Sequence, residues 1–357
     1  MRVSRLHIIS YCILFFLVLL SPTIKSYFMS TSTVNCEKRN LTVFPKLTWN
    51  DTILQELGAY YEEHFGLRNE FTYWQSELKL AVFKSSSNPK DVQIGLANWL
   101  FPTSKLDYSY GSYTHRDLWS TQELITVRKI HLERKNLLKN RNCTYLLAVW
   151  PNKTTIYPEF VPKHLNWMKK DTLSKVDQLI QFFKESNIDI PIIYPKNYLL
   201  KHKKEKLYFK NDTHWNQLGA FYGYVYFLRH TSNIFSEQPR CISAYKLTYK
   251  NIFTGDLLDL MGLCTIKHFP ETIPILQVKK KVKIISTPND VSYKHINESA
   301  QCSKTVLFFR DSYTRNLIPY FTQHFKESYY YWQDYDQRIV DSIKPDVVVV
   351  SKVERYF

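Results

Sequence analysis

A chain of 357 residues, 44% hydrophobic and 16% aromatic, has apolar material for one large core or two modest ones, which excludes a disordered protein. Its formal net charge of +16 favours acidic surroundings: an anionic polysaccharide, a membrane surface or nucleic acid. A merely basic, solvated surface carries the same charge.

Arg2 and Arg5 precede an apolar run from Ile8 to Leu20, so residues 1–25 read as a signal anchor or a signal peptide. Lys25-Ser26-Tyr27-Phe28 is a poor cleavage site, which favours an uncleaved anchor in the inner membrane. The two arginines keep the N-terminus cytoplasmic and place the body outside, in the periplasm or its equivalent. Nucleic acid is thereby set aside as a partner. Residues 26–50 are polar and irregular, the expected stalk, and residues 51–357 are expected to form one domain.

Cys12 lies in the apolar run and five cysteines belong to the body, where Cys241 and Cys264, the closest pair in sequence, can close a loop. No Cys/His spacing points to zinc, and no metal or other cofactor is expected. Sequons stand at Asn40, Asn50, Asn142, Asn152, Asn211 and Asn297.

From Ile53 to Phe65 and from Phe71 to Phe83 apolar and charged residues alternate with helical spacing. Val92 to Gly95 and Asn98 to Phe101 read as a short hairpin about Leu96-Ala97. Ser120 with Glu123 is a capping-box signal opening a helix to about Leu138, and Tyr145 to Val149 is a buried strand. A second helix is expected from Asp171, then a strand from Ile188 to Tyr194, which completes a βαβ pattern and predicts a parallel sheet. Another helix is expected from Asn216. Residues 235–300, with the cluster from Lys279 to Lys283, show little period. From Lys304 the chain reads as a strand ending at Arg310-Asp311-Ser312-Tyr313. Leu317, Phe321 and Phe325 then predict a helix, and Val347 to Val350 a last strand.

A strand, a turn bearing a hydroxyl and a helix is how α/β enzymes expose a nucleophile at the carboxyl end of a sheet. Serine needs a base, best an imidazole whose tautomer a carboxylate fixes, and Asp212 and His214 offer that pair just before a helix. The same spacing also occurs in metal sites and in plain polar turns. For an oxyanion, the Ser312 backbone N–H and the Asn152 side chain are candidate donors. Asn152, Lys153, Arg310 and Tyr313 are the candidate substrate contacts.

Taken together, several stretches resemble the SGNH-hydrolase-like domain of the alginate O-acetyltransferase family, exported proteins that O-acetylate bacterial exopolysaccharides. They are residues 95–101 (Gly95-Leu96-Ala97-Asn98-Trp99-Leu100-Phe101), Pro151 to Glu159, Asp212-Thr213-His214-Trp215, Gly255-Asp256-Leu257, Arg310-Asp311-Ser312-Tyr313 and Val353-Glu354-Arg355-Tyr356. The resemblance implies an SGNH-type α/β fold, Ser312 as nucleophile, His214 as general base and Asp212 as its orienting acid. It also implies a membrane-bound O-acyltransferase as acetyl donor and a polysaccharide acceptor, which the basic charge would make anionic. Arg310 departs from the family, many of whose members have Gly there, and residues 265–300 match nothing in it. Two further readings stand beside transfer: a carbohydrate esterase using the same triad, and a non-catalytic glycan-binding subunit.

Overall fold

The structure, a computed structural model, describes residues 5–28, 41–46, 51–105, 107–171, 173–264, 269–279, 284–286 and 292–357. Its chain divides into two compact units, residues 1–89 with 258–268, and residues 90–257 with 269–357.

The smaller unit contains helices α1 (Arg5–Phe28), α2 (Ile53–His64) and α3 (Arg68–Phe83). Within α1, His7–Lys25 is long and apolar enough to cross a membrane, and its described apolar side chains are exposed. Most of the stalk lies outside the described residues. Lys25 pairs with Glu70 of α3.

The larger unit begins with the antiparallel hairpin of β1 (Val92–Ile94) and β2 (Leu100–Pro102). Then come α4 (Thr121–Lys139), β3 (Thr144–Trp150), α5 (Lys175–Glu185), β4 (Ile192–Ile193) and α6 (Gln217–His230). An antiparallel pair follows, β5 (Tyr245–Ile252) with β6 (Glu271–Val278). The chain continues through β7 (Ile284–Ser286), β8 (Ser292–Ile296), β9 (Cys302–Arg310), β10 (Phe325–Tyr331), α7 (Gln337–Ile343) and β11 (Val347–Val353). A seven-stranded sheet runs β4-β3-β11-β9-β10-β8-β7, parallel from β4 to β10, with β8 and β7 antiparallel at one edge. The expected α/β architecture, a mostly parallel sheet flanked by helices, is therefore present.

Central parallel strands are covered on both faces, which is why β3 and β11 are continuous apolar runs. One face of β11, Val347 and Val349, packs under α6 with Phe308. Its other face, Val348 and Val350, packs under Leu138 of α4, Leu179 of α5 and Val340 of α7. The α4 capping box forms as expected.

Elsewhere local chemistry differs from the sequence reading. The second helix starts not at Asp171 but after Ser174, whose hydroxyl and the Asp177 carboxylate make another capping box. Of the expected strand only Ile192 and Ile193 are in register with β3, and Pro191 beside them adds its carbonyl, which accepts the Leu147 N–H at 2.9 Å. Beyond Ser312 the helix lasts only through Phe321, and Phe325 opens β10. Phe321 and Phe325 both enter one core, so their spacing is satisfied by a different backbone. Cys264 is disulfide-bonded whereas Cys241 is a free thiol, so no bond closes the loop between them. Lys280 to Lys283 lie outside the described residues.

Candidate active site

Side by side at the carboxyl edge of the sheet end β3, β11 and β9, with Val353 opposite Trp150 and Ser351 opposite Arg310. Just past β9, Asp311 staples its turn to β11: its N–H donates to Ser351 O at 3.2 Å and its carboxylate accepts Val353 N–H at 2.6 Å and Tyr313 N–H at 3.0 Å. Burial raises the Asp311 pKa. The turn holds Ser312 at the head of a single 3-10 turn, Tyr313–Asn316.

The second strand of the site is the loop before α6. Asn216 caps that helix, its side-chain oxygen accepting the N–H groups of Leu218 and Gly219. Gly219 is required there, since a Cβ would lie 2.2 Å from Leu207 O. Three bonds then join this loop to the serine turn: Tyr313 hydroxyl to Thr213 O (2.6 Å), Trp215 Nε1 to Tyr313 O (3.0 Å) and Asn316 Nδ2 to Trp215 O (3.0 Å).

With both loops held, His214 Nε2 lies 2.7 Å from Ser312 Oγ and His214 Nδ1 2.6 Å from Asp212 Oδ1. An ionised carboxylate only accepts, so Nδ1 carries the proton and Nε2 is left to accept from the serine hydroxyl. The Asp212 and His214 side chains are each 23% exposed, open to an incoming group. Burial alone would raise the Asp212 pKa, but the hydrogen bond and charge of His214 hold it well below the carboxylate range. Burial likewise opposes the imidazolium, yet Asp212 and the Asp256 charge outweigh it and leave His214 above its ordinary value.

The sequence places Asp256 in the Gly255-Asp256-Leu257 stretch but gives it no role. Its carboxylate accepts the Thr213 N–H at 2.7 Å and the Thr213 hydroxyl, while its own N–H donates to Asp212 Oδ2 at 3.1 Å. Gly255 makes that approach available, because a Cβ would sit 2.2 Å from Asn211 O. Burial and the Asp212 charge raise the Asp256 pKa. Asp212, His214 and Asp256 are also metal-ligand types, with one donor atom from each within 4.8 Å. In this arrangement, however, the Nδ1 that would face an ion donates to Asp212.

The remaining candidates are turned inward. Lys153 is 1% exposed, and its ammonium donates to the carbonyls of Leu100 (2.5 Å), Lys210 (2.8 Å) and Asp212 (3.0 Å). Burial lowers its pKa to about 7. It supports the Asp212 loop from below and does not reach a substrate. Arg310 is fully buried, its guanidinium 4.8 Å from the Trp332 ring and 5.3 Å from Tyr293, so it is not offered to an acidic substrate. Tyr313, also fully buried, spends its hydroxyl on Thr213. Asn152 does lie on the right edge, but its Nδ2 donates to Ser112 Oγ at 3.0 Å and its Oδ1 accepts from Arg355 at 3.3 Å. Ser312 N–H donates to no acceptor among the described residues, which keeps it open to an oxyanion. Glu354, from the closing motif, accepts Asn152 N–H at 2.8 Å and the Tyr194 hydroxyl at 2.8 Å, fastening the β3 loop beside β11.

Residues 92–275 match the family described as SGNH hydrolase-like domain, acetyltransferase AlgX. The chain belongs to this family. That match contains Asp212, His214 and Asp256 and ends before Ser312. Among solved structures the AlgX-family chain is similar to Bacillus cereus PatB1 with a sulfonyl adduct, at 15% identity over 74% of this chain and 93% of that one (TM-score 0.55). It is similar also to a DHHW family protein from Eubacterium siraeum DSM 15702, at 15% identity over 74% and 90% of the two chains (TM-score 0.50). Both likenesses are of fold. No curated protein matches in sequence.

Proposed function

We propose that this AlgX-family protein is a serine-dependent O-acetyltransferase, exported and anchored by α1, that acetylates hydroxyls of an exported or cell-envelope polysaccharide. One observation carries the reading: the unbroken relay from Asp212 through His214 to Ser312, with 2.6 and 2.7 Å links. Ser312 Oγ attacks the acyl carbon as its proton passes to His214 Nε2, and Asp212 stabilises the imidazolium. Ser312 N–H, at the head of its turn, faces the developing oxyanion. Collapse breaks the bond to the donor oxygen, which takes the proton from His214 and leaves acetyl-Ser312. A glycan hydroxyl then repeats the sequence in reverse, giving its proton to His214 and taking the acetyl group. A membrane-bound O-acyltransferase is the proposed donor, and the net charge of +16 favours an anionic acceptor.

The test is acetyl transfer from an activated ester to oligosaccharide, with release to water counted in parallel. Ser312→Ala is expected to lower transfer at least about 10³-fold. Transfer surviving that change would end the serine mechanism, and release to water without transfer would make the protein an esterase.

A further inference from the structure

The larger unit has a second opening, a cleft of about 690 Å³ beside α4, the turn after β10 and the end of β11. That volume lies in the range of about 300–1,000 Å³ usual for ligand pockets. Val350 and Lys352 line it, whereas Ser351 between them bonds Trp150 and Thr314 on the other face, beneath the serine turn. Cleft and Ser312 therefore share one sheet edge from opposite faces.

Four cationic side chains and one acidic side chain line the cleft. The carboxylate, Asp334, is paired with Lys352 at 2.9 Å. Each of the other three cations stands over one face of a ring of the same lining: Arg134 4.6 Å from the centroid of Tyr335, Lys175 5.0 Å from that of Trp119 and Arg355 5.1 Å from that of Tyr356. Lys175 also faces Asp117 at 3.7 Å and Arg355 faces Asp107 at 3.5 Å, while Arg134 makes no ion pair with a described carboxylate. Arg355 connects the two faces, since its Nη1 donates to Asn152 Oδ1 at 3.3 Å and its guanidinium lies 5.6 Å from the ring of Tyr313, the residue after Ser312.

A ring beside a cation, repeated three times, suits a sugar that carries a carboxylate. The flat ring covers the apolar face of the sugar, and a guanidinium fork matches a carboxylate. We propose that this cleft holds one acidic sugar unit of the acceptor, its carboxylate at Arg134 and its ring against Trp119. The chain then crosses the sheet edge past Arg355 and brings a neighbouring unit to Ser312. This rests on the O-acetyltransferase reading for the identity of the polymer.

The experiment titrates the full chain in detergent, carrying Ser312→Ala so that nothing turns over, with a polyuronate hexamer and with the same hexamer after carboxyl reduction. Calorimetry should find the acidic hexamer at least tenfold tighter, with affinity falling as salt rises. Arg134→Glu should weaken it at least tenfold and Trp119→Ala at least fivefold, while Arg134→Lys, which keeps the charge but loses the fork, should weaken it less than Arg134→Glu. Equal binding of the reduced hexamer overturns the proposal. So does an affinity within twofold in both Arg134→Glu and Trp119→Ala. Because binding is read without Ser312, it is separate from the chemistry: release to water without transfer in the unmutated protein ends the transferase reading alone, and binding indifferent to the cleft ends this one alone.

Discussion

Asp256 grips Thr213 at two points, accepting its backbone N–H at 2.7 Å and its hydroxyl, and so fixes the residue between the two members of the Asp212–His214 pair. Its carboxylate also stands 3.6 Å from His214 Nδ1. Asp256 is a positioning residue in this account, acting through its neighbours. Asp256→Asn should lower kcat about 10–100-fold with little change in KM, the size of effect that a small misplacement produces. It also removes a charge that raises the His214 pKa, so the acid limb of the pH profile should move to lower pH. An unmoved profile with only stability lost would reduce Asp256 to scaffold.

His214 accepts a proton only when neutral. Its pKa lies above the ordinary 6.5, so ester cleavage should rise with pH through a midpoint above 6.5 and fall as the imidazole protonates on acidification. The pH dependence of kcat/KM measures this, and a midpoint well below 6.5 would contradict the Asp212–His214 pairing.

Lys153 satisfies three carbonyls at once. Lys153→Met recovers the desolvation of an ammonium but leaves three acceptors without a donor. A net loss on the order of 3 kcal/mol is expected, read from denaturant midpoints. A midpoint equal to wild type would show that water replaces the ammonium.

Three sequons are closed by folding. Asn152, Asn211 and Asn297 are each at most 5 to 6% exposed, and their amides donate to Ser112, Phe269 and Thr322. In a glycosylating host, peptide mapping should find these three unmodified. Asn142, exposed in the turn after α4, is the accessible sequon among the described residues.

What could be read from the sequence follows from how strongly each segment is constrained. The apolar runs of β3 and β11 admit little but a buried parallel strand, and Ser120 with Glu123 names a helix start by chemistry. β5 carries no such mark, because Lys246, Leu247, Tyr249, Lys250 and Asn251 are all exposed and no alternation results. In the site, Asp212 and His214 stand two residues apart and Ser312 follows a strand, which spacing can reveal. Asp256 and Asp311 are different. Both act through backbone N–H groups distant in sequence, Thr213 for one and Val353 for the other, and no local pattern records such a bond. Lys153 and Arg310 misled for a related reason: a basic residue in a site loop suggests a substrate contact, but here carbonyls and rings enclose it.

The proposed mechanism requires a covalent acetyl group on Ser312. Incubation with an activated acetyl ester, an acid quench and peptide mass mapping test it directly. One acetyl group on the peptide containing Ser312, lost on addition of acceptor glycan and absent from Ser312→Ala, is the predicted result. Acetylation confined to other residues, or transfer to glycan by the Ser312→Ala protein, would contradict it.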